Sequence, residues 1–66
     1  MQIQINGQTK SIPQAGNIAG IVKQFSKDSK KIIAELNGRI VPSCDWENTS
    51  IKEGDALELV AFVGGG

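Results

Sequence analysis

The chemistry available to this chain is concentrated where the sequence stops. Val60-Ala61-Phe62-Val63 is a run of strand formers, and Gly64-Gly65-Gly66 follows it. Glycine is the costliest residue to order and the least restricted in φ/ψ. Three in succession at a chain end predict a mobile thread, not a packed element. Fully extended, that thread reaches roughly 10 Å past the last strand, at about 3.3–3.6 Å per residue. Its tip is the α-carboxylate of Gly66. With no Cβ beside it, this carboxylate can enter a narrow channel in another protein. The bland alternative is a frayed terminus.

The remaining residue types offer little chemistry of their own. Histidine is absent, which removes Ser–His and Cys–His nucleophile pairs and the commonest metal ligand. One cysteine, Cys44, and scattered carboxylates give no zinc spacing, so no metal site is expected. Cys44 has no adjacent activating base and reads as a semi-exposed filler. Gly64-Gly65-Gly66 is not a phosphate loop, because no helix N-terminus follows it. Asp45, Glu47, Glu53, Asp55 and Glu58 read as a solvated acidic face. A domain this small, with no second layer to form a cleft, is a poor enzyme candidate.

Length and composition fit that view. Sixty-six residues make one domain, near the lower limit for folding alone. The expected division is a folded body over 1–63 and a glycine tail over 64–66. Lys+Arg and Asp+Glu balance at seven each, so no basic excess points to nucleic acid or an anionic membrane. No apolar run approaches the ~18 residues of a membrane span. Met1-Gln2-Ile3-Gln4-Ile5 alternates and does not read as a signal peptide. A lone cysteine suits a reducing cytoplasm.

The elements that must carry the tail can be read in order. Met1, Ile3 and Ile5 alternate with Gln2, Gln4 and Asn6, a half-buried strand. Asn6-Gly7 signals a type I′ hairpin turn. The return strand over Gln8–Ile12 is mostly polar and reads as an edge; Pro13 ends it. Gln14-Ala15-Gly16 is a connector. Asn17 is the N-cap of a helix whose Ile18, Ile21, Val22 and Phe25 form one apolar stripe. Gly20 costs that helix about 1 kcal/mol relative to alanine, and close approach to the sheet is a candidate reason for it. The helix is expected to end over 26–29.

Lys31 to Asn37 reads as the next strand, with Ile32, Ala34 and Leu36 on one face and Ile33 and Glu35 on the other. Asn37-Gly38 repeats the tight turn, and Arg39-Ile40-Val41 continues extended to Pro42. Residues 43–50 read as irregular, pinned by a half-buried Trp46. Ile51 to Asp55 is a turn with Gly54 at positive φ. In the final strand, over 56–63, Leu57, Leu59, Ala61 and Val63 share the core face; Ala56, Glu58, Val60 and Phe62 take the other. The fold class is therefore α+β, a grasp-like mixed sheet of about four to five strands around one main helix.

Several of these stretches, in this order and spacing, resemble the ThiS family of sulfur carriers, small members of the ubiquitin-like β-grasp superfamily. They are the Met1-to-Ile5 strand with its Asn6-Gly7 turn and the segment Leu36-Asn37-Gly38-Arg39-Ile40-Val41-Pro42. Trp46 four residues after that proline, Glu53-Gly54-Asp55 and the ending Phe62-Val63-Gly64-Gly65-Gly66 complete the pattern. The resemblance spans nearly the whole chain. Ser43 departs from it, since a basic residue often follows the proline in similar proteins.

The resemblance implies a chemistry. A ThiF-like adenylyltransferase, using ATP and Mg²⁺ that the chain itself does not bind, would adenylate the Gly66 carboxylate. A persulfide sulfur donor would displace AMP and leave a thiocarboxylate. A ThiG-like thiazole synthase would take the sulfur for thiamin thiazole. Gly65 and Gly66 serve by being small, and Gly64 adds reach. The outward Val60 and Phe62, with Glu58 beside them, are the expected docking patch. Two other readings stay open. One is a MoaD-like carrier for molybdopterin or another pathway, although those chains usually run longer. The other is a ubiquitin-like interaction module with an idle tail.

Overall fold

The computed structural model describes residues 1–12, 16–25 and 31–61. Within them the expected elements form, in the expected order. Strand β1 is Gln2–Ile5 and β2 is Gln8–Ser11; a short β3, Gly16–Asn17, leads into helix α1, Ile18–Phe25. Then come β4, Ile32–Leu36, β5, Arg39–Val41, a 3-10 helix over Ser43–Asn48, β6, Ser50–Ile51, and β7, Ala56–Ala61.

Both hairpins turn on Asn-Gly, as their chemistry requires. Asn6 and Gly7 sit at φ 52° and 80°, Asn37 and Gly38 at 53° and 87°. These left-handed pairs define type I′ turns, whose twist matches that of the flanking strands. They join β1 to β2 and β4 to β5, both antiparallel. The two hairpins do not pair with each other. β7 lies between them, giving the order β2-β1-β7-β4-β5. It runs parallel to β1 and antiparallel to β4. The all-exposed β2 is an edge, as its polar sequence indicates.

One face of this sheet packs on α1. Ile3, Ile18, Val22 and Leu57 form the most deeply buried part, with Ile32, Ala34, Trp46, Ile51 and Leu59 around them. No polar side chain among the described residues is buried. That suits a domain with little apolar area to offset an unpaired polar group.

The structure corrects several expectations. Residues 43–48 are a 3-10 helix, not irregular, and Trp46 is fully part of the core at 6% exposure. Its indole Nε1 donates to the Val41 carbonyl at 2.8 Å, which lets the polar edge of the ring go inside. Gly16 is more than a connector. With Asn17 it pairs against Ser50–Ile51 in a separate two-stranded ladder, too short to leave a period-2 signal in the sequence. Asn17 does cap α1, its Oδ1 accepting from Gly20 N–H at 2.8 Å. Gly20 does not approach the sheet: a Cβ there would meet Asn17 Oδ1 at 3.3 Å. The glycine leaves room for the cap.

Phe25 closes the apolar stripe in sequence but is 46% exposed, and Ala61, expected on the core face, is exposed. The expected helix end over 26–29, and Phe62 and Val63 at the close of the last strand, lie outside the described residues.

Candidate functional site

β7 carries the candidate site. Its core face holds Leu57 and Leu59, 0% and 3% exposed, which fixes the strand's rotation. Strand alternation then turns Glu58 and Val60 outward. Val60 is 53% exposed, and Glu58 is exposed. Two of the three residues expected in a docking patch are therefore on the surface and on one face. Phe62, and Gly64, Gly65 and Gly66 with their carboxylate, lie outside the described residues.

The register shows what stands beside them. Ile33 is directly opposite Val60, and Glu35 directly opposite Glu58. On the far side of β4, Ile40 is opposite Glu35. Ile33 and Ile40 are 42% and 68% exposed. Three apolar side chains and two carboxylates thus share the open face of β7, β4 and β5. The sequence reading included neither Ile33, Glu35 nor Ile40 in the patch. The alternation already placed Ile33 and Glu35 on one face. Asn37-Gly38 fixed Ile40 opposite Glu35, because a two-residue turn sets the register. Nothing local showed that β4 lies next to β7.

The backbone of β7 is held at its start and again at Leu59 by turn asparagines. Asn37 Oδ1 accepts from Ala56 N–H at 2.9 Å, and Asn37 N–H donates to the Ala56 carbonyl at 2.8 Å. Asn37 Nδ2 also donates to Asp55 Oδ1 at 3.1 Å. Further along the strand, Asn6 Oδ1 accepts from Leu59 N–H at 2.8 Å, and Asn6 Nδ2 donates to the Leu59 carbonyl at 3.2 Å.

Elsewhere the candidates for catalysis stay apart. Cys44 is exposed, with Asp45 Oδ1 at 3.9 Å from its sulfur and no activating cation in that contact. Ser43 is exposed at the start of the 3-10 helix. Asp55 accepts from Lys52 N–H at 2.7 Å, and Glu53 accepts from Gln2 N–H at 3.0 Å, so both tie turns to the body. Among the described residues no three His, Cys, Asp or Glu side chains converge as metal ligands. None of the described helices is long and apolar enough to cross a membrane.

A five-stranded mixed sheet with a helix on one face, the last described strand at its centre, is the ubiquitin-like β-grasp. The ThiS family model matches residues 3–66. The chain belongs to the ThiS family, the sulfur carriers of thiamin biosynthesis. It is 29% identical over 65 residues to "Sulfur carrier protein ThiS" of Bacillus subtilis, covering 97% of this chain and 98% of that one. It is 33% identical over 66 residues to a protein of Paramagnetospirillum magneticum named "Thiazole synthase". The match covers all of this chain but only 20% of that protein's length. The crystal structure of thiamine biosynthesis protein ThiS from Geobacter metallireducens superposes with a TM-score of 0.85 at 26% identity, over 100% of both chains.

Proposed function

We propose that this chain carries sulfur as a C-terminal thiocarboxylate on Gly66, made by a partner enzyme and handed to a thiazole synthase. The observation that supports this most is that the family match runs through Gly66 itself, glycine tail included. A carboxylate is a poor electrophile, because its charge repels nucleophiles and it has no good leaving group. In the proposed sequence a Gly66 oxygen attacks the α-phosphorus of ATP, and pyrophosphate leaves. The acyl-adenylate then has AMP as its leaving group. A donor persulfide displaces AMP and gives an acyl disulfide. A further thiol cleaves that disulfide, releasing the thiocarboxylate. Mg²⁺ and ATP belong to the ThiF-like activating enzyme. The chain is a cosubstrate, not a catalyst.

The body supplies recognition. Val60, Ile33 and Ile40 offer an apolar surface crossed by Glu35 and Glu58. A ThiF-like partner docking there takes the tail into its active site. The sulfur acceptor is a ThiG-like thiazole synthase. A sequence like this one forming part of a protein named thiazole synthase supports that pairing. The site of action is the cytoplasm, where ATP is available.

The test is an intact mass of the protein after incubation with a ThiF-class enzyme, Mg-ATP and a persulfide donor, with fragmentation to locate any change. The expected result is one oxygen replaced by sulfur at Gly66. An unchanged mass, with the enzyme shown competent on another carrier, overturns the reading.

A further inference from the structure

The hydrogen bonds along β7 assign a task to a residue far from the tail in sequence. The parallel ladder between β1 and β7 is short. Gln4 N–H donates to the Asp55 carbonyl at 2.9 Å, and Asn6 N–H to the Leu57 carbonyl at 3.0 Å. The backbone groups of every second residue of β7 face β1, so those of Leu59 face it next. No strand among the described residues meets them, because β1 ends where the chain turns away at Asn6-Gly7. The Asn6 side chain meets them instead, with both of its amide atoms on the Leu59 peptide groups. A primary amide reproduces the donor and the acceptor of a peptide unit. Aspartate would place an oxygen against the Leu59 carbonyl, and glutamine is one methylene longer. Asparagine is also the side chain that best tolerates the left-handed φ of 52° found here.

We propose that Asn6 is a positioning residue for the tail: its side chain extends the β1 edge by one peptide equivalent and fixes β7 at Leu59, two residues before the described strand ends at Ala61 and the chain runs on into 62–66. This rests on the carrier reading. The body docks through the face that holds Val60, and the Gly66 carboxylate must then reach one fixed point in the partner. Without the clamp, the end of β7 is held only by β4, through Ile33 opposite Val60 and Ile32 opposite Ala61. The docked body stays docked, but a smaller fraction of complexes has the carboxylate in place. The signature is a fall in kcat with KM for the carrier little changed.

The experiment compares Asn6→Gly with Asn37→Gly. Each keeps the left-handed turn and removes an asparagine clamp on β7, one at the tail end and one at the far end. Pyrophosphate release is followed with a ThiF-class activating enzyme and Mg-ATP, at a temperature where both variants are folded. Amide hydrogen exchange at Leu59 and Val60 is measured on the same samples. Asn6→Gly is expected to lose tenfold or more in kcat with KM within twofold. Its Leu59 and Val60 amides exchange faster. Asn37→Gly is expected to stay within twofold in both constants, with those amides as in wild type. Equal kcat in the two variants overturns the proposal. If wild type itself is not activated by a competent enzyme, the carrier reading fails, and exchange alone decides the clamp. Equal exchange at Leu59 and Val60 in both variants then overturns it.

Discussion

Glu35 and Glu58 stand directly opposite each other on the open face of the β4–β7 ladder. Their register neighbours on that face are Ile33, Val60 and Ile40, none of them basic. Like charges in direct cross-strand opposition oppose folding, by up to roughly 1 kcal/mol. The pair is therefore a small cost to the body, retained at the site we assign to docking.

Glu35→Gln is expected to raise the melting temperature by a few degrees at low salt, with a smaller gain at high salt as screening removes the repulsion. The same change is expected to raise KM in the activation assay, because it removes a charge from the surface we assign to docking. A variant that is both less stable and equally well activated would contradict this account of the pair.

Val60→Ser removes about half-exposed apolar surface from the patch. Stability is expected to move by less than about 0.5 kcal/mol, as for surface changes generally. KM for the activating enzyme is expected to rise severalfold. Unchanged activation kinetics would remove Val60 from the docking surface.

Trp46→Phe keeps most of the buried ring and deletes the indole donor to Val41. The Val41 carbonyl loses one donor but keeps its place in the ladder opposite Ala34, so the expected loss is that of one net hydrogen bond, about 0.5–1.5 kcal/mol. Trp46→Ala adds a cavity and is expected to lose about 3–5 kcal/mol. Urea denaturation followed by far-UV circular dichroism measures both. The order Phe above Ala is the firm part, and its reversal would mean that the hydrogen bond outweighs the packing.

Gly38→Ala isolates backbone strain. At φ 87° nothing lies within 4 Å of the added Cβ, so no clash contributes. The left-handed backbone alone is expected to cost about 1–2 kcal/mol. A neutral result in chemical denaturation would show that the turn relaxes to another type.

Much of this was legible in the sequence, because the signals involved are local. Asn6-Gly7 and Asn37-Gly38 announce their turns through φ, and the alternation of Ile3 with Gln4, or Leu57 with Glu58, fixes which face goes inside. Asn17 reads as a cap without any tertiary information. The placement of β7 did not read, because strand order depends on contacts far apart in sequence. With it went the company that Glu58 and Val60 keep, and the side-chain role of Asn6. The 3-10 helix around Trp46 was missed for a similar reason. Six residues of mixed polarity carry no period, and what holds them is the indole reaching back to Val41.

The strand order has a consequence for how the protein is made. Among the described residues β1 pairs only with β2 and β7, and β4 only with β5 and β7. A nascent chain that has not yet exposed β7 holds two separate hairpins with bare inner edges, and the helix has no continuous sheet to cover. An isolated hairpin is marginal in water. The body therefore assembles only after the ribosome has synthesised through Ala61, a few residues short of the glycines. A message that breaks off before β7 yields a polypeptide without its central strand, open to proteases, and no compact body.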